Sequence, residues 1–302
     1  MATTEKPTGA APPLPGASGS SLPAPYAAIA DRLACPVCHA RLSANGAALR
    51  CAACAIDFPV RDGIAALAPP RAETKPEAEA WGDHWSQDKQ SSLPQRFFSF
   101  YRKAVFARTV AYFLDGSFAE EGVFLEAGSG TAETSQRVNK RGGRRILIAL
   151  DLIGEVLKHC HPIMDVRIQG DIFRLPFRDS SLDGVWNVGV MEHFTWDQID
   201  EILCEFHRIL KPGAPVILLW PAESSIPQKI LRLIEKVVNA RRSGPRFLFH
   251  PDEISKLPSS AAARQILSRN GFNRIEVDTG IRSLMAFKTP VGRKSLTPVP
   301  RS

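Results

Sequence analysis

Between residues 120 and 221 the chain alternates apolar runs with stretches of helical period. The runs 122–127 (GVFLEA), 145–150 (RILIAL) and 214–220 (APVILLW) are apolar at nearly every position, and 165–169 (DVRIQ) and 183–190 (DGVWNVGV) carry their Val and Ile among more polar residues and glycines. Strands covered on both faces read this way, whereas a half-exposed strand alternates. Helical spacing follows from about 131, over 153–160 and over 197–210. Strand and helix in turn predict an α/β fold with a doubly wound parallel sheet, whose ligands bind at the carboxyl ends of the strands.

Ahead of this region Phe97, Tyr101, Ala104, Val105 and Arg108 recur at helical spacing and predict an N-terminal helix that packs on the sheet. Trp81, His84 and Trp85 precede it and are candidates for a lid over the ligand site. Within the long insertion 221–258, Ile230, Leu233, Ile234, Val237 and Val238 make an apolar stripe, with Lys229, Arg232, Lys236, Arg241 and Arg242 elsewhere on the same helix. Such a helix packs, lies on an anionic membrane, or caps an acidic or lipid-like ligand.

Composition divides the 302 residues into a Pro/Ala/Gly/Ser leader expected to be disordered (1–30), a cysteine module (31–68), a linker and lid (69–96), the α/β domain (97–288) and a basic disordered tail (289–302). The net charge of +7 permits nucleic acid or anionic lipid as a partner without demanding either. The absence of an apolar run of about 18 residues argues against a membrane span. The leader lacks a secretory apolar core, so a cytoplasmic, reducing location is expected.

That location bears on the cysteines. Cys35-Pro-Val-Cys38 and Cys51-Ala-Ala-Cys54 are two knuckles flanking Asn45-Gly46, a dipeptide that favours a type I′ hairpin turn. Four thiolates complete a tetrahedral zinc shell with no open position, which makes the metal structural. Two disulfides are the alternative.

Candidate chemistry starts at GVFLEAGSGT, residues 122–131. Gly128 and Gly130 let the backbone come close to a ligand at the first strand-to-helix turn. A dinucleotide fingerprint requires a third glycine where Glu133 stands, and a pyrophosphate would meet a carboxylate. Acids close three successive strands: Glu126, Asp151 and Asp171. S-adenosylmethionine carries no phosphate, and its sulfonium and ammonium tolerate acids. Asp151 suits the ribose hydroxyls, Asp171 the adenine amino group, and Glu126 the methionine end.

Glu126-x-Gly128-x-Gly130, Asp151, Gly170-Asp171, Leu175-Pro176-Phe177, Leu182-Asp183, Val190-Met191-Glu192-His193 and Arg208-Ile209-Leu210-Lys211-Pro212-Gly213 stand in the order seen in class I S-adenosylmethionine-dependent methyltransferases. The chain resembles most the group that includes ubiquinone and menaquinone methyltransferases. The resemblance covers residues 120 to 221 and implies a Rossmann-like, mostly parallel seven-stranded sheet. It places Glu126, Gly128, Ser129, Gly130, Asp151, Leu152, Asp171, Ile172, Asn187 and Val188 around the cofactor. Ala214 departs from the family, which has a second glycine there. Leu33-Ala34-Cys35-Pro36 and the segment Asp57 to Ile64 resemble the small zinc-ribbon subunits that activate tRNA and translation-factor methyltransferases. This likeness implies a ribbon that docks on the catalytic domain or contacts RNA.

Methyl transfer from a sulfonium is an in-line displacement, and holding the acceptor in line is the protein's main task. A hydroxyl or ammonium acceptor needs a general base, and His193 after the fourth strand is the candidate; the alternative is a packing role. Arg246, Phe247, Phe249 and His250 are candidate acceptor contacts. The chain lacks the Pro-Pro-aromatic signature of base amino-group methylases after its fourth strand, and no Pro-Cys nucleophile is present. A small-molecule, glycan or lipid-linked acceptor is the leading expectation. RNA or protein, or a scaffold that binds cofactor without turnover, are the alternatives.

Overall fold

The computed structural model describes residues 21–69, 102–223, 236, 239–240, 254–283 and 287–296. The expected lid, nearly all of the basic amphipathic helix and the acceptor candidates at 246–250 lie outside the described residues. The ribbon comprises α1 (Ala24–Ala27), β1 (Leu42–Asn45), β2 (Ala48–Cys51), β3 (Ile56–Arg61) and β4 (Ile64–Ala66). The hairpin β1–β2 turns at Gly46-Ala47, with Asn45 paired to Ala48. Gly46 has φ +58° and Ala47 is not left-handed, so the turn lacks the double positive φ of the expected type I′.

The α/β domain follows with β5 (Gly122–Ala127), β6 (Arg145–Asp151), β7 (Val166–Gln169), β8 (Gly184–Val188), β9 (Pro215–Pro221), β10 (Phe272–Asp278) and β11 (Phe287–Lys294). Their order is β7-β6-β5-β8-β9-β11-β10. The first five run parallel, and β11 lies antiparallel to β9 and β10. This is the expected mostly parallel seven-stranded sheet. The consecutive apolar residues of β9 are buried along its whole length, as a central strand requires.

Helices α2 (Ala107–Ser117), α3 (Gly154–Lys158), α4 (Trp196–Ile209) and α5 (Ser260–Arg269) pack on the two faces. A capping box starts α4: Gln198 N–H donates to Thr195 Oγ1, and Thr195 N–H to Gln198 Oε1. Lys211-Pro212-Gly213 lies just beyond its C-terminal cap, Leu210, with Gly213 at φ +78°.

The ribbon and the domain share one sheet. Strand β4 pairs in parallel with β7, Ile64 opposite Arg167, and extends the seven strands to eleven. Leu33, Leu49 and Phe58 of the ribbon join Ile168, Leu175 and Phe177 in one core. The buried Tyr26 hydroxyl donates to Arg167 O and accepts the Ala65 N–H at 3.0 Å. Burial pushes this phenol up to about 12, against the opposing pull of its backbone hydrogen bonds.

Three expectations are corrected. Residues 21–30 of the supposed leader are ordered, because Leu22, Tyr26 and Ile29 are buried against the ribbon and the sheet. Residues 289–294 of the supposed tail form the end of β11, whose Thr289, Pro290 and Gly292 are buried. No regular helix follows the glycine turn from 131: Ala132 is left-handed (φ +53°), and only a 3₁₀ turn, Glu133–Ser135, comes after it. That turn directs Ser135 Oγ onto Glu126 Oε2 at 2.8 Å instead of continuing a helix.

Candidate active site

The carboxyl ends of β5, β6 and β7 open into a cavity of about 830 Å3. Glu126, Gly128, Ser129, Gly130, Asp151, Leu152, Asp171, Ile172, Val188 and His193 all border it. Asn187 does not. It is buried on the strand face opposite to Val188, and neither atom of its amide has a hydrogen-bond partner.

The turn after β5 is held entirely from within. Gly128 N–H and Ser129 N–H both donate to Leu150 O, at 2.8 and 3.0 Å, and Gly130 N–H donates to Asp151 Oδ2 at 2.8 Å. Gly128 has φ +73°, and a Cβ on it would come 2.8 Å from Val190 Cγ2. A phosphate cradle needs free amides and a helix N-terminus behind them. Here the amides of Gly128, Ser129 and Gly130 are all engaged and no regular helix follows, so the chemistry of the turn fits a cofactor without phosphate.

Asp151 accepts Gly130 N–H through one oxygen and Ile153 N–H through the other, at 2.8 and 3.0 Å. Each oxygen keeps a lone pair for a ribose hydroxyl. Burial pushes this carboxyl above the ordinary range, and the N–H groups of Ile153, Gly130 and Leu152 pull it partway back. Asp171 is buried and accepts Phe173 N–H at 3.0 Å, which orders the loop after β7. Glu126 is 1% exposed and accepts the hydrogen bond of the Ser135 hydroxyl, while Trp186 Nε1 donates to Ser135 Oγ at 3.3 Å. The donor set thus suits a cationic alkyl donor with a sugar and a purine.

His193 lies in a 3₁₀ turn, Met191–His193, with Nε2 3.8 Å from Glu192 Oε1. Sequence reasoning missed the outer wall. Gln198, Glu201 and Glu205 line the cavity from one face of α4, at a spacing of three and four that was open to reading. Phe173 and Phe194 meet edge to face at 5.3 Å on its border. His39 of the ribbon borders it as well, and no local pattern announced that long-range contact.

In the ribbon the four sulfurs of Cys35, Cys38, Cys51 and Cys54 lie within 4.8 Å of one another, with Cys38 to Cys51 at 3.5 Å and Cys35 to Cys54 at 4.0 Å. Zinc-sulfur bonds of about 2.3 Å place sulfurs about 3.8 Å apart on a tetrahedron, so the set fits zinc. All four are free cysteines, which removes the disulfide alternative. Such close packing splits their acidities: the backbone hydrogen bond from Ala40 lowers Cys38 to about 7, and the neighbouring thiols, Cys38 first, push Cys54 to about 12. A divalent cation at the centre lets all four ionise.

Residues 125–218 match a methyltransferase domain, and residues 30–63 match the Trm112p-like proteins. A malonyl-[acyl-carrier protein] O-methyltransferase of Erwinia pyrifoliae is 36% identical over 108 residues, covering 34% of this chain and 39% of that protein. A demethylmenaquinone methyltransferase of Streptomyces griseus is 27% identical over 177 residues, covering 56% of this chain and 75% of its own length. The chain thus spans about two-fifths of the first relative and three-quarters of the second. A solved structure of a possible exported protein from Bordetella parapertussis superposes with a TM-score of 0.52 at 17% identity, over 72% of this chain and 79% of that one, and shares the fold. No helix among the described residues is long and apolar enough to cross a membrane. Sequence match, strand order and cavity chemistry agree: this chain carries an S-adenosylmethionine-dependent methyltransferase domain with a Trm112p-like zinc ribbon joined to it in cis.

Proposed function

We propose that the chain transfers a methyl group from S-adenosylmethionine to a small-molecule acceptor, a class that includes glycan- and lipid-linked molecules. One observation carries this reading: carboxylates from three successive strand ends border one cavity beside a glycine turn whose amides are already engaged. When bound, the cofactor supplies an electrophilic methyl group on a good leaving group. Asp151 holds the ribose, Asp171 the adenine edge, and Glu126 faces the cationic methionine end. Phe173 and Phe194 exclude water from the apolar side of the cavity. For a hydroxyl acceptor His193 removes the proton as the new bond forms, and for an ammonium acceptor it removes the proton beforehand, which frees the nitrogen lone pair for attack. The names of the malonyl-carrier and demethylmenaquinone relatives support an acceptor that is small but borne on a carrier or a lipid. The Trm112p-like match favours a second reading, in which RNA or protein is the acceptor.

Calorimetry with S-adenosylhomocysteine, followed by incubation of the zinc-loaded protein with methyl-labelled cofactor and fractionated extract, separates these readings. Label in the organic or small-molecule fraction is expected. Label confined to RNA or protein favours the second reading, cofactor binding without any transfer reduces the chain to a scaffold, and no binding overturns the cofactor assignment.

A further inference from the structure

The ribbon adds a residue to the cavity as well as strands to the sheet. His39, directly after the zinc ligand Cys38, takes φ +58° and borders the same space as Asp151 and Asp171. The second knuckle repeats this backbone: Ala55 follows Cys54 with φ +55°. Both positions make one conformational demand, which glycine meets freely and any other residue meets at a cost of about 1 kcal/mol. At the second knuckle, which does not border the cavity, the chain places alanine. At the first it places an exposed imidazole on the cavity wall.

The contacts around the knuckle say which end of the cavity His39 serves. Ala34 N–H donates to Pro176 O at 3.0 Å, and Leu33 bridges Phe177. Within the knuckle His39 N–H donates to Cys35 O, and Cys35 N–H to Ala40 O, both at 2.9 Å. Strand β4 lies against β7, which leads through Gly170 into Asp171. The ribbon therefore stands on the Asp171 side, where the purine belongs. An imidazole offers a purine a ring face and one ring N–H.

We propose that His39 contacts the purine of the methyl donor, so that the cofactor pocket is completed by the zinc ribbon. The proposal rests on the cofactor reading above. The test compares full-length zinc-loaded wild type, His39→Gly and Ala55→Gly by calorimetry with S-adenosylhomocysteine, by melting without ligand and by zinc content. His39→Gly relieves the left-handed strain while deleting the side chain, so its affinity is expected to drop about five-fold, with zinc content intact and melting temperature unchanged or raised. Ala55→Gly relieves the same strain and keeps wild-type affinity. Equal affinity of His39→Gly and wild type overturns the proposal, as does an equal loss in Ala55→Gly. A fall in ligand-free melting temperature or zinc content that accompanies the affinity loss assigns His39 a structural role and also overturns it. No binding by the wild type sinks the cofactor reading itself, whereas equal binding by both proteins sinks the purine contact alone.

Discussion

Replacing Asp151 with Asn separates the two tasks its carboxylate performs. In the ligand-free protein the two oxygens accept Gly130 N–H and Ile153 N–H, and burial raises the pKa of the group. Alanine would leave both amides without a partner, whereas asparagine keeps one acceptor and removes the buried charge. A lost backbone partner costs about 1–3 kcal/mol, and relief of the carboxylate's desolvation offsets it, so the unliganded melting temperature stays close to wild type. The ribose keeps no such compensation. One hydrogen bond to a charged acceptor contributes roughly 2 kcal/mol, so affinity for S-adenosylhomocysteine should fall about 30-fold. The pH dependence has a definite sign. Because the folded pKa lies above the unfolded one, this group's contribution to ligand-free stability declines as pH rises between the two. The ribose hydroxyls favour the carboxylate, so wild-type affinity should fall as pH drops through the raised value, and the variant should lack this step. Calorimetry across pH with parallel melting curves measures both. Wild-type affinity in Asp151→Asn would refute the ribose assignment.

Tyr26→Phe leaves the Arg167 carbonyl and the Ala65 amide without their partner, so it should destabilise by about 2 kcal/mol and lower the melting temperature by about 5 °C. Because the phenol's folded pKa of about 12 exceeds its ordinary 10, the wild type should lose about 3 kcal/mol of stability between pH 10 and 12, a step that denaturant titrations should not find in the variant. Changing Cys35 and Cys38 together to Ser should release zinc and unfold β1 to β3, read by metal analysis and circular dichroism; full metal retention would refute the four-sulfur site. With a hydroxyl or ammonium acceptor, His193→Gln should cut turnover about 100-fold or more at unchanged S-adenosylhomocysteine affinity, and undiminished turnover would leave the imidazole a packing role.

Much of this arrangement was legible in local sequence. The strands β5, β6 and β9 are apolar at nearly every position because both faces are covered, and the acids that border the cavity stand at the ends of β5, β6 and β7. The cysteine spacing announced the ribbon for the same reason: a knuckle is a local structure. Features that depend on distant contacts were not legible. Tyr26 lies in a Pro- and Ala-rich stretch whose composition suggests disorder, and its partners are 39 and 141 residues away. Thr289 and Gly292 sit among lysines and arginines, yet they are buried because β11 inserts between β9 and β10. The helix expected after the glycine turn failed on one left-handed residue, Ala132, which no periodicity reveals.

The way the ribbon is attached makes it a part of the catalytic domain. A module of its size cannot close a core alone without metal or a partner surface. Here Leu33, Leu49 and Phe58 complete their burial against Ile168 and Phe177, and β4 covers the β7 edge that would otherwise present unpaired amides. Zinc fixes the knuckle, the knuckle fixes His39, and His39 stands on the wall of the cavity that Asp151 and Asp171 also border. A purine contact from His39 therefore couples metal and methyl donor through one continuous sheet. Such coupling is reciprocal: if zinc raises affinity for S-adenosylhomocysteine, then S-adenosylhomocysteine must raise retention of zinc by the same factor. A chelator titration with and without S-adenosylhomocysteine reads that factor from the metal side. Identical zinc affinity in the two titrations would show the ribbon and the cofactor pocket to be energetically independent despite their shared wall.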